Sequence, residues 1–256
     1  MYHSFLDLMK KEGPVIGLIM HFFEPSVVEY AKDAGFDYIR IDTEHEMFNY
    51  KDIRELARVA TLLDMPCHIR VSNLNDVARF LDCGITGIFV TDVNSVERGK
   101  AAIDAVKMYP LGARGQYPAG RCVRFANCDS FQDYVKVAND IVMLTFQIES
   151  VAALPFLDDI LSLPGVDMVA SGKADTAQSM GKPGRSNDPD VTEVENIIIR
   201  KTLEHGKIPV IGIRGPEKLQ GLMDMGVKVF SCGPDEEILT RAMKSFIREC
   251  RRTITE

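Results

Sequence analysis

The sequence has no CxxC pair, no histidine at zinc-finger spacing from a cysteine, no basic excess and no apolar run long enough to cross a membrane. Each absence closes a class. Cys67, Cys83, Cys122, Cys128, Cys232 and Cys250 sit mostly inside apolar runs such as FLDCG and VFSCG. That pattern reads as buried free thiols in a reducing cytosol, not as a disulfide or zinc framework. Lys and Arg number 30 against 37 Asp and Glu, for a net charge of −7 and a pI near 5.4. A generic nucleic-acid-binding surface needs the opposite balance. The first residues, MYHSFLDLMKKEG, lack the basic-then-apolar layout of a secretory signal. The longest uncharged apolar stretch there, GPVIGLIMHFF, falls well short of the ~20 residues of a membrane span. The expectation is a soluble, cytoplasmic protein with no nucleic-acid and no membrane partner.

What is present is ordinary globular composition: 256 residues, 46% apolar and 26% charged, with 12 Pro and 19 Gly. Such a chain can bury a large core without disulfides or a structural metal. Eight short β-rich apolar runs punctuate it, at residues 15–20 (VIGLIM), 36–42, 67–70, 87–91, 142–147, 166–170, 209–213 and 227–232. Between them, apolar residues recur at three- and four-residue spacing over 26–34, 50–63, 75–83, 95–108, 150–163, 190–204, 216–225 and 234–251. These segments predict helices, the first with Ser26 as N-cap and with Gly35 as its stop; Gly84 ends the third. Continuous apolar strands alternating with helices mean a parallel sheet covered on both faces, and eight units close into an α/β (β/α)8 TIM barrel. A doubly wound open sheet is the alternative, but no GxGxxG follows an early strand. Two regions exceed a minimal barrel. Residues 1–12 read as an extra N-terminal helix capping the barrel bottom. Residues 109–140, containing YPLGARGQYPAGRCVRF, form a long insertion after the helix following strand four.

A barrel's chemistry collects at the C-terminal ends of its strands. Strand one ends in His21, strand two in Asp42-Thr43-Glu44-His45, strand three in Arg70, strand five in Gln147-Ile148-Glu149, and strand six leads into Ser171-Gly172-Lys173-Ala174-Asp175. Each residue has a plain structural use. Asp42 and Asp175 can cap helices, His45 can be a solvated loop residue, Arg70 can form an ion pair, and Glu149 can favour a helix N-terminus. Their coincidence at one mouth favours chemistry. Glu149 and Asp175, on adjacent strands, suit a hard divalent cation such as Mg2+ or Mn2+ with open positions for substrate. A 2-oxo acid can chelate such an ion, Arg70 can offset an enolate charge, and His45 can shuttle a proton.

These residues carry a resemblance. AGFDYIRIDTEHEMFNY, HIRV, FLDCGITGIFV, YPLGARG, FQIES and PGVDMVASGKADTAQSMG, in this order over about residues 13–250, resemble the HpcH/HpaI aldolase family. That family comprises class II, metal-dependent pyruvate aldolases of the phosphoenolpyruvate/pyruvate barrel superfamily. The resemblance implies Glu149 and Asp175 as ligands of Mg2+, Mn2+ or Co2+, and Gln147 as a contact to pyruvate or a ligand water. Arg70 is implied as the pyruvate and enolate contact, and the backbone N–H groups of Ala174 and Asp175 as the seat of the pyruvate carboxylate. His45 is implied as the acid/base residue, paired with Asp82 of the LD-x-G element, with Asp42 orienting His45. It implies a homohexamer, a trimer of dimers exchanging the helix at about 234–251. The chain departs from the family at Thr91, where a proline is usual, and at Lys173, where G-P-[SA]-D-L is usual.

The sequence therefore reads as one domain, residues 1–256. Its expected activity is divalent-metal-dependent retro-aldol cleavage of a 4-hydroxy-2-oxo acid, such as 4-hydroxy-2-oxoheptanedioate or a 2-keto-3-deoxy sugar acid, to pyruvate and an aldehyde. Rival readings are a CoA-ester lyase of the malyl- or citryl-CoA type or a condensing enzyme, and a non-catalytic metabolite-binding barrel. Lys173 raises a further rival, a Schiff-base aldolase that needs no metal. Arg121 and Arg124 could bind a terminal carboxylate or pair at a subunit interface.

Overall fold

The computed structural model describes residues 5–117, 121, 128 and 130–255. Eight parallel strands close into a barrel in sequence order. They are β1 (Val15–Met20), β2 (Tyr38–Asp42), β3 (Cys67–Val71), β4 (Gly87–Val90), β5 (Met143–Ile148), β6 (Met168–Ser171), β7 (Ile208–Ile213) and β8 (Val229–Cys232). The helices are α1 (Phe5–Leu8), α2 (Pro25–Asp33), α3 (Tyr50–Leu62), α4 (Val77–Cys83), α5 (Val96–Val106), α6 (Phe131–Ile141), α7 (Leu157–Leu161), α8 (Lys173–Ser179), α9 (Pro189–Glu204), α10 (Leu219–Asp224) and α11 (Asp235–Thr255). Closure is made by β1 against β8, with Val15 opposite Val229.

The continuous apolar runs are explained by burial on both faces. Outward residues such as Leu18, Ile39, Ile41, Ile69, Ile88, Leu144, Phe146 and Val169 join the helix residues Val28, Leu56, Ala57 and Ile103 in one large cluster. Inward residues Val15, Tyr38, Phe89, Met143, Met168, Val210 and Val229 form a second cluster inside the barrel. Small residues make room there for large ones. A Cβ on Gly17 would lie 2.2 Å from the Tyr38 ring, and one on Gly87 2.3 Å from the His68 ring. The expected cap at the barrel bottom is the short helix α1, whose Phe5 is 1% exposed and belongs to the inward cluster. Its ring lies 5.2 Å from Tyr38 and 4.7 Å from His68, centroid to centroid. Burial and the nearby Arg40 charge hold the His68 imidazole down at about 3, so this ring packs as a neutral aromatic.

Four local expectations are corrected. The N-cap of α2 is Glu24, not Ser26: its carboxylate accepts the Ser26 N–H, and Pro25 fills the first helical position. The segment 150–163 is not one helix, because Pro155 falls inside a 3-10 turn (Val151–Phe156) that precedes α7. Residues 216–225 divide likewise into a 3-10 turn (Pro216–Lys218) and α10. The insertion after α5 contains a helix, α6, capped by Ser130 accepting the Asp133 N–H. Buried Lys107 ties α5, α6 and the start of β6 together by donating to the Asn139 and Val142 carbonyls and to Asp167, at 3.0, 2.6 and 2.9 Å. The described cysteines Cys67, Cys83, Cys128, Cys232 and Cys250 are free thiols; Cys122 lies outside the described residues. Among the described residues no helix is long and apolar enough to cross a membrane.

The Phe5 ring packs on the barrel floor, so truncating it leaves a cavity beside Tyr38 and His68. We expect Phe5→Ala to lose about 3–4 kcal/mol of stability, read as a lower urea midpoint at unchanged slope.

Candidate active site

Asp42 is the fixed point of the barrel mouth. It ends β2 opposite Arg70 of β3 in the ladder and is fully buried. Its Oδ1 accepts from Arg70 Nε at 3.0 Å and from the backbone N–H groups of Glu44 and His45 at 3.0 and 3.3 Å. Its Oδ2 accepts from a terminal Arg70 nitrogen, in a short contact, and lies 3.1 Å from His21 Nε2. Burial alone would raise this carboxyl. The hydrogen bonds and charge of Arg70 outweigh it, with help from the Glu44 N–H and Arg40, and bring Asp42 to about 2. Arg70 also reaches Glu44 Oε2 at 3.2 Å.

Across the mouth, Glu149 follows β5. Its Oε1 accepts the Asp92 N–H at 2.7 Å and its Oε2 makes a short contact with the Gln147 side-chain amide. Burial pushes the Glu149 carboxyl up, these two hydrogen bonds oppose it, and the charges of Glu44 and Asp175 push it further, to about 7. Asp175 lies in the first turn of α8, where the N–H groups of Ala174 and Asp175 have no helical acceptor. Gly172, between β6 and α8, is required by close approach: a Cβ there would lie 2.4 Å from Glu149 Cβ and 2.6 Å from its Oε2. Three carboxylates thus converge, and each Glu149 oxygen keeps one lone pair beyond its present donor. Glu149 and Asp175 offer oxygen donors of the kind a hard divalent cation takes. Among the described residues no group of three or more His, Cys, Asp or Glu could hold a metal ion, so a cation would rest on Glu149 and Asp175 and leave most positions to water and substrate.

His45 is close to the site through its backbone, not its ring. The side chain is 59% exposed, with Nε2 3.9 Å from Glu44, and Asp42 holds its N–H. Asp82 is not brought to His45 within one chain. It lies in the last turn of α4, and a helix between β3 and β4 runs from the mouth to the opposite end of the barrel. Burial raises the Asp82 carboxyl and Arg114 partly offsets this. Arg121 packs near Gly84 at the same far end, with its Cβ 3.6 Å from where a Gly84 Cβ would stand; Arg124 lies outside the described residues. The Lys173 ammonium is 3.1 Å from Glu195 of α9, with the two side chains 17% and 12% exposed. A Schiff-base nucleophile needs a free amine, and this one is engaged. Sequence reasoning gave no role to Glu44, although it lies in the quoted D-x-E-H element. It could not find Asp92, which acts through a backbone N–H from a left-handed conformation, φ 53°.

The HpcH/HpaI aldolase/citrate lyase family matches residues 16–241, and the chain belongs to that family. It is 30% identical over 249 residues to a 4-hydroxy-2-oxo-heptane-1,7-dioate aldolase of Klebsiella pneumoniae, covering 96% of this chain and 92% of that protein. It is 28% identical over 222 residues to a 2-dehydro-3,6-dideoxy-6-sulfogluconate aldolase of Pseudomonas putida, covering 86% of each. Among solved structures it is similar to the citrate synthase SbnG, with a TM-score of 0.90, 27% identity and 99% of both chains covered. It also resembles an HpcH/HpaI aldolase from Desulfitobacterium hafniense, at 0.87 and 24% identity over 99% of this chain and 97% of that one. Aldolase relatives over nearly the full length make this chain a carbon–carbon lyase.

The electrostatics of Glu149 have a measurable consequence. A carboxyl held near 7, above its unfolded value of about 4.3, contributes stability at low pH that is lost as pH rises through 7. In chelator-treated protein, Glu149→Gln should therefore gain about 1 kcal/mol at pH 8 after allowance for solvent screening, or about 2–4 °C in Tm. It should gain nothing at pH 4, and a gain equal at both pH values would contradict this reading.

Proposed function

We propose that this protein cleaves a 4-hydroxy-2-oxo acid in the retro-aldol direction, giving pyruvate and an aldehyde, with a divalent cation (Mg2+, Mn2+ or Co2+) held by Glu149 and Asp175. The observation that carries the reading is the half-buried Glu149 carboxylate, pushed up to about 7 by burial first and by the Glu44 and Asp175 charges further, at the same mouth as the Arg70–Asp42 pair. When bound, the cation supplies Lewis-acid polarisation of the substrate's keto group. The chain's own residues do the rest. The N–H groups of Ala174 and Asp175 hold the pyruvate carboxylate, and Gln147 orients the Glu149 carboxylate and the adjacent substrate or water. His45, through a water, takes the proton of the C4 hydroxyl as the C3–C4 bond breaks. The bonding electrons pass to the enolate, whose charge the Arg70 guanidinium offsets, and a proton returned to C3 completes pyruvate. Asp42 fixes Arg70 and the His45 backbone.

Pyruvate release from a panel of 4-hydroxy-2-oxo acids, with and without chelator, tests the reading. Chelation should abolish release, and Mg2+, Mn2+ or Co2+ should restore it. Arg70→Ala should lose about 10²–10³ in both cleavage and pyruvate Cα-proton exchange; an Arg70→Ala protein that exchanges normally removes Arg70 from the mechanism. The likeness to a citrate synthase favours one alternative, in which the enolate held at this site is that of an acetyl thioester and adds to the keto carbon of oxaloacetate, with water hydrolysing the thioester to release citrate and the free thiol. Citrate formed from an acetyl thioester and oxaloacetate, without pyruvate release from the 4-hydroxy-2-oxo acids, would decide for it.

The same proposal treats residues 1–256 as one domain in a cytoplasmic homo-oligomer, a hexamer built as a trimer of dimers. Support comes from α11, whose Ile238, Leu239, Met243, Phe246 and Ile247 are exposed in this chain. Leu239, Met243 and Phe246 fall at helical spacing on one stripe, which a second copy would cover. A second copy would also be the source of the aspartate for His45, because Asp82 of the same chain lies at the far end. We expect Phe246→Glu with Met243→Glu to lower the assembly's mass in light scattering and to lower activity with it.

A further inference from the structure

We infer that His21 is a positioning residue that ties the seat of α11 to the aim of Arg70; its effect on turnover rests on the proposed aldolase reading. His21 follows β1, and its side chain is only 15% exposed. The ring stands between two carboxylates, with Nε2 3.1 Å from Asp42 Oδ2 and Nδ1 2.9 Å from Glu236 Oε1. Glu46 lies further off, at 3.8 Å. Ionised carboxylates only accept hydrogen bonds, so both contacts are satisfied when both ring nitrogens carry hydrogen.

The two ends of this bridge differ in kind. On one side, Asp42 Oδ2 is shared between His21 and Arg70, so the ring limits where that oxygen can turn and hence where the guanidinium points. On the other side, Glu236 is in the first turn of α11, 215 residues away in sequence. The neighbouring Asp235 holds the His21 and Phe22 backbone N–H groups at 2.9 and 3.2 Å. The helix start therefore grips residue 21 by main chain and side chain together. The Asp235 bonds hold the start of α11 to the main chain of residues 21 and 22. The extra contact through the ring is what reaches the buried Asp42–Arg70 pair.

The test reads Arg70 directly. Phenylglyoxal labelling, followed by peptide mass mapping, gives the modification rate at Arg70, with Arg98 as internal control. His21→Leu and Glu236→Ala should each raise the Arg70 rate about five-fold and leave Arg98 unchanged. His21→Gln, which keeps a donor toward Asp42 but loses the contact to Glu236, should match Glu236→Ala and serves if His21→Leu folds poorly. In the Arg70→Lys background, His21→Leu should add no further loss of pyruvate release, since its effect runs through the residue already altered. An unchanged Arg70 rate in His21→Leu, or an equal rise at Arg98, overturns the inference. So does a fully additive loss in the double variant. A wild-type protein that releases no pyruvate defeats the aldolase reading alone, and the labelling rates still judge His21.

Discussion

The mouth of this barrel is assembled on one buried ion pair. Asp42 and Arg70 sit opposite each other on adjacent strands, and burying either charge alone would be costly. Removing one partner of such a pair typically costs about 3–5 kcal/mol, because the other is left uncompensated. Here the pair is joined by further donors that leave the carboxylate no spare capacity. Two of them, the N–H groups of Glu44 and His45, start the β2–α3 loop, so the loop's course is fixed by the same side chain that fixes Arg70. Below lies Arg40, 8% exposed and 4.4 Å above the Phe89 ring. Burial and the neighbouring Arg70 charge lower it to about 10. A second guanidinium under the pair favours the ionised form of Asp42 from inside the barrel.

The site is divided by charge, and Glu44 stands on the dividing line. On the β2–β3 side positive charge dominates around Asp42. On the β5–β6 side the charge of the exposed Asp175 works against the ionised form of the half-buried Glu149. Glu44 pairs with Arg70 at 3.2 Å and also adds to the repulsion felt by Glu149. Such a division matches the charge changes of enolate chemistry. A cation is wanted where an oxo acid chelates, and a fixed guanidinium where negative charge develops on its oxygen. The carboxylate hub, the guanidinium and Glu149 follow from how inward positions alternate along β2, β3 and β5, while Asp175 comes from the first turn of α8.

The fold was legible because its strands are buried on both faces and read as apolar runs, while each helix shows one covered stripe. The same rule explains the failures. Helix α8 is too short and exposed to show a stripe, and α6 lies inside a segment rich in Gly and Arg, whose composition points to a loop. Pro155 breaks a pattern that spacing alone would continue. At the site, strand-end position marked Asp42, Arg70, Gln147 and Glu149, because side chains at those ends have one mouth to face. It could not mark Asp92, whose contribution is a backbone N–H, nor Glu236, which reaches the mouth from the far end of the sequence. Asp82 is the instructive case. A motif carries residue identity but not which end of a helix faces which end of the barrel, and the connection β3–α4–β4 sends Asp82 away from His45 of its own chain.

Lys173 shows how a departure from the family pattern can keep the site's backbone. A proline at the first helical position fixes φ near the helical value and limits the freedom of the turn before it. Lysine gives no such restraint. In its place the Lys173 ammonium pairs with Glu195 of α9 at 3.1 Å, fastening the start of α8 from outside. The turn it starts is also constrained from within, because Gly172 lies too close to Glu149 to tolerate even a Cβ. A charged side chain is thus accommodated beside three carboxylates without entering their space: its partner lies on the helix layer, and what faces the mouth from this turn is its backbone and Asp175.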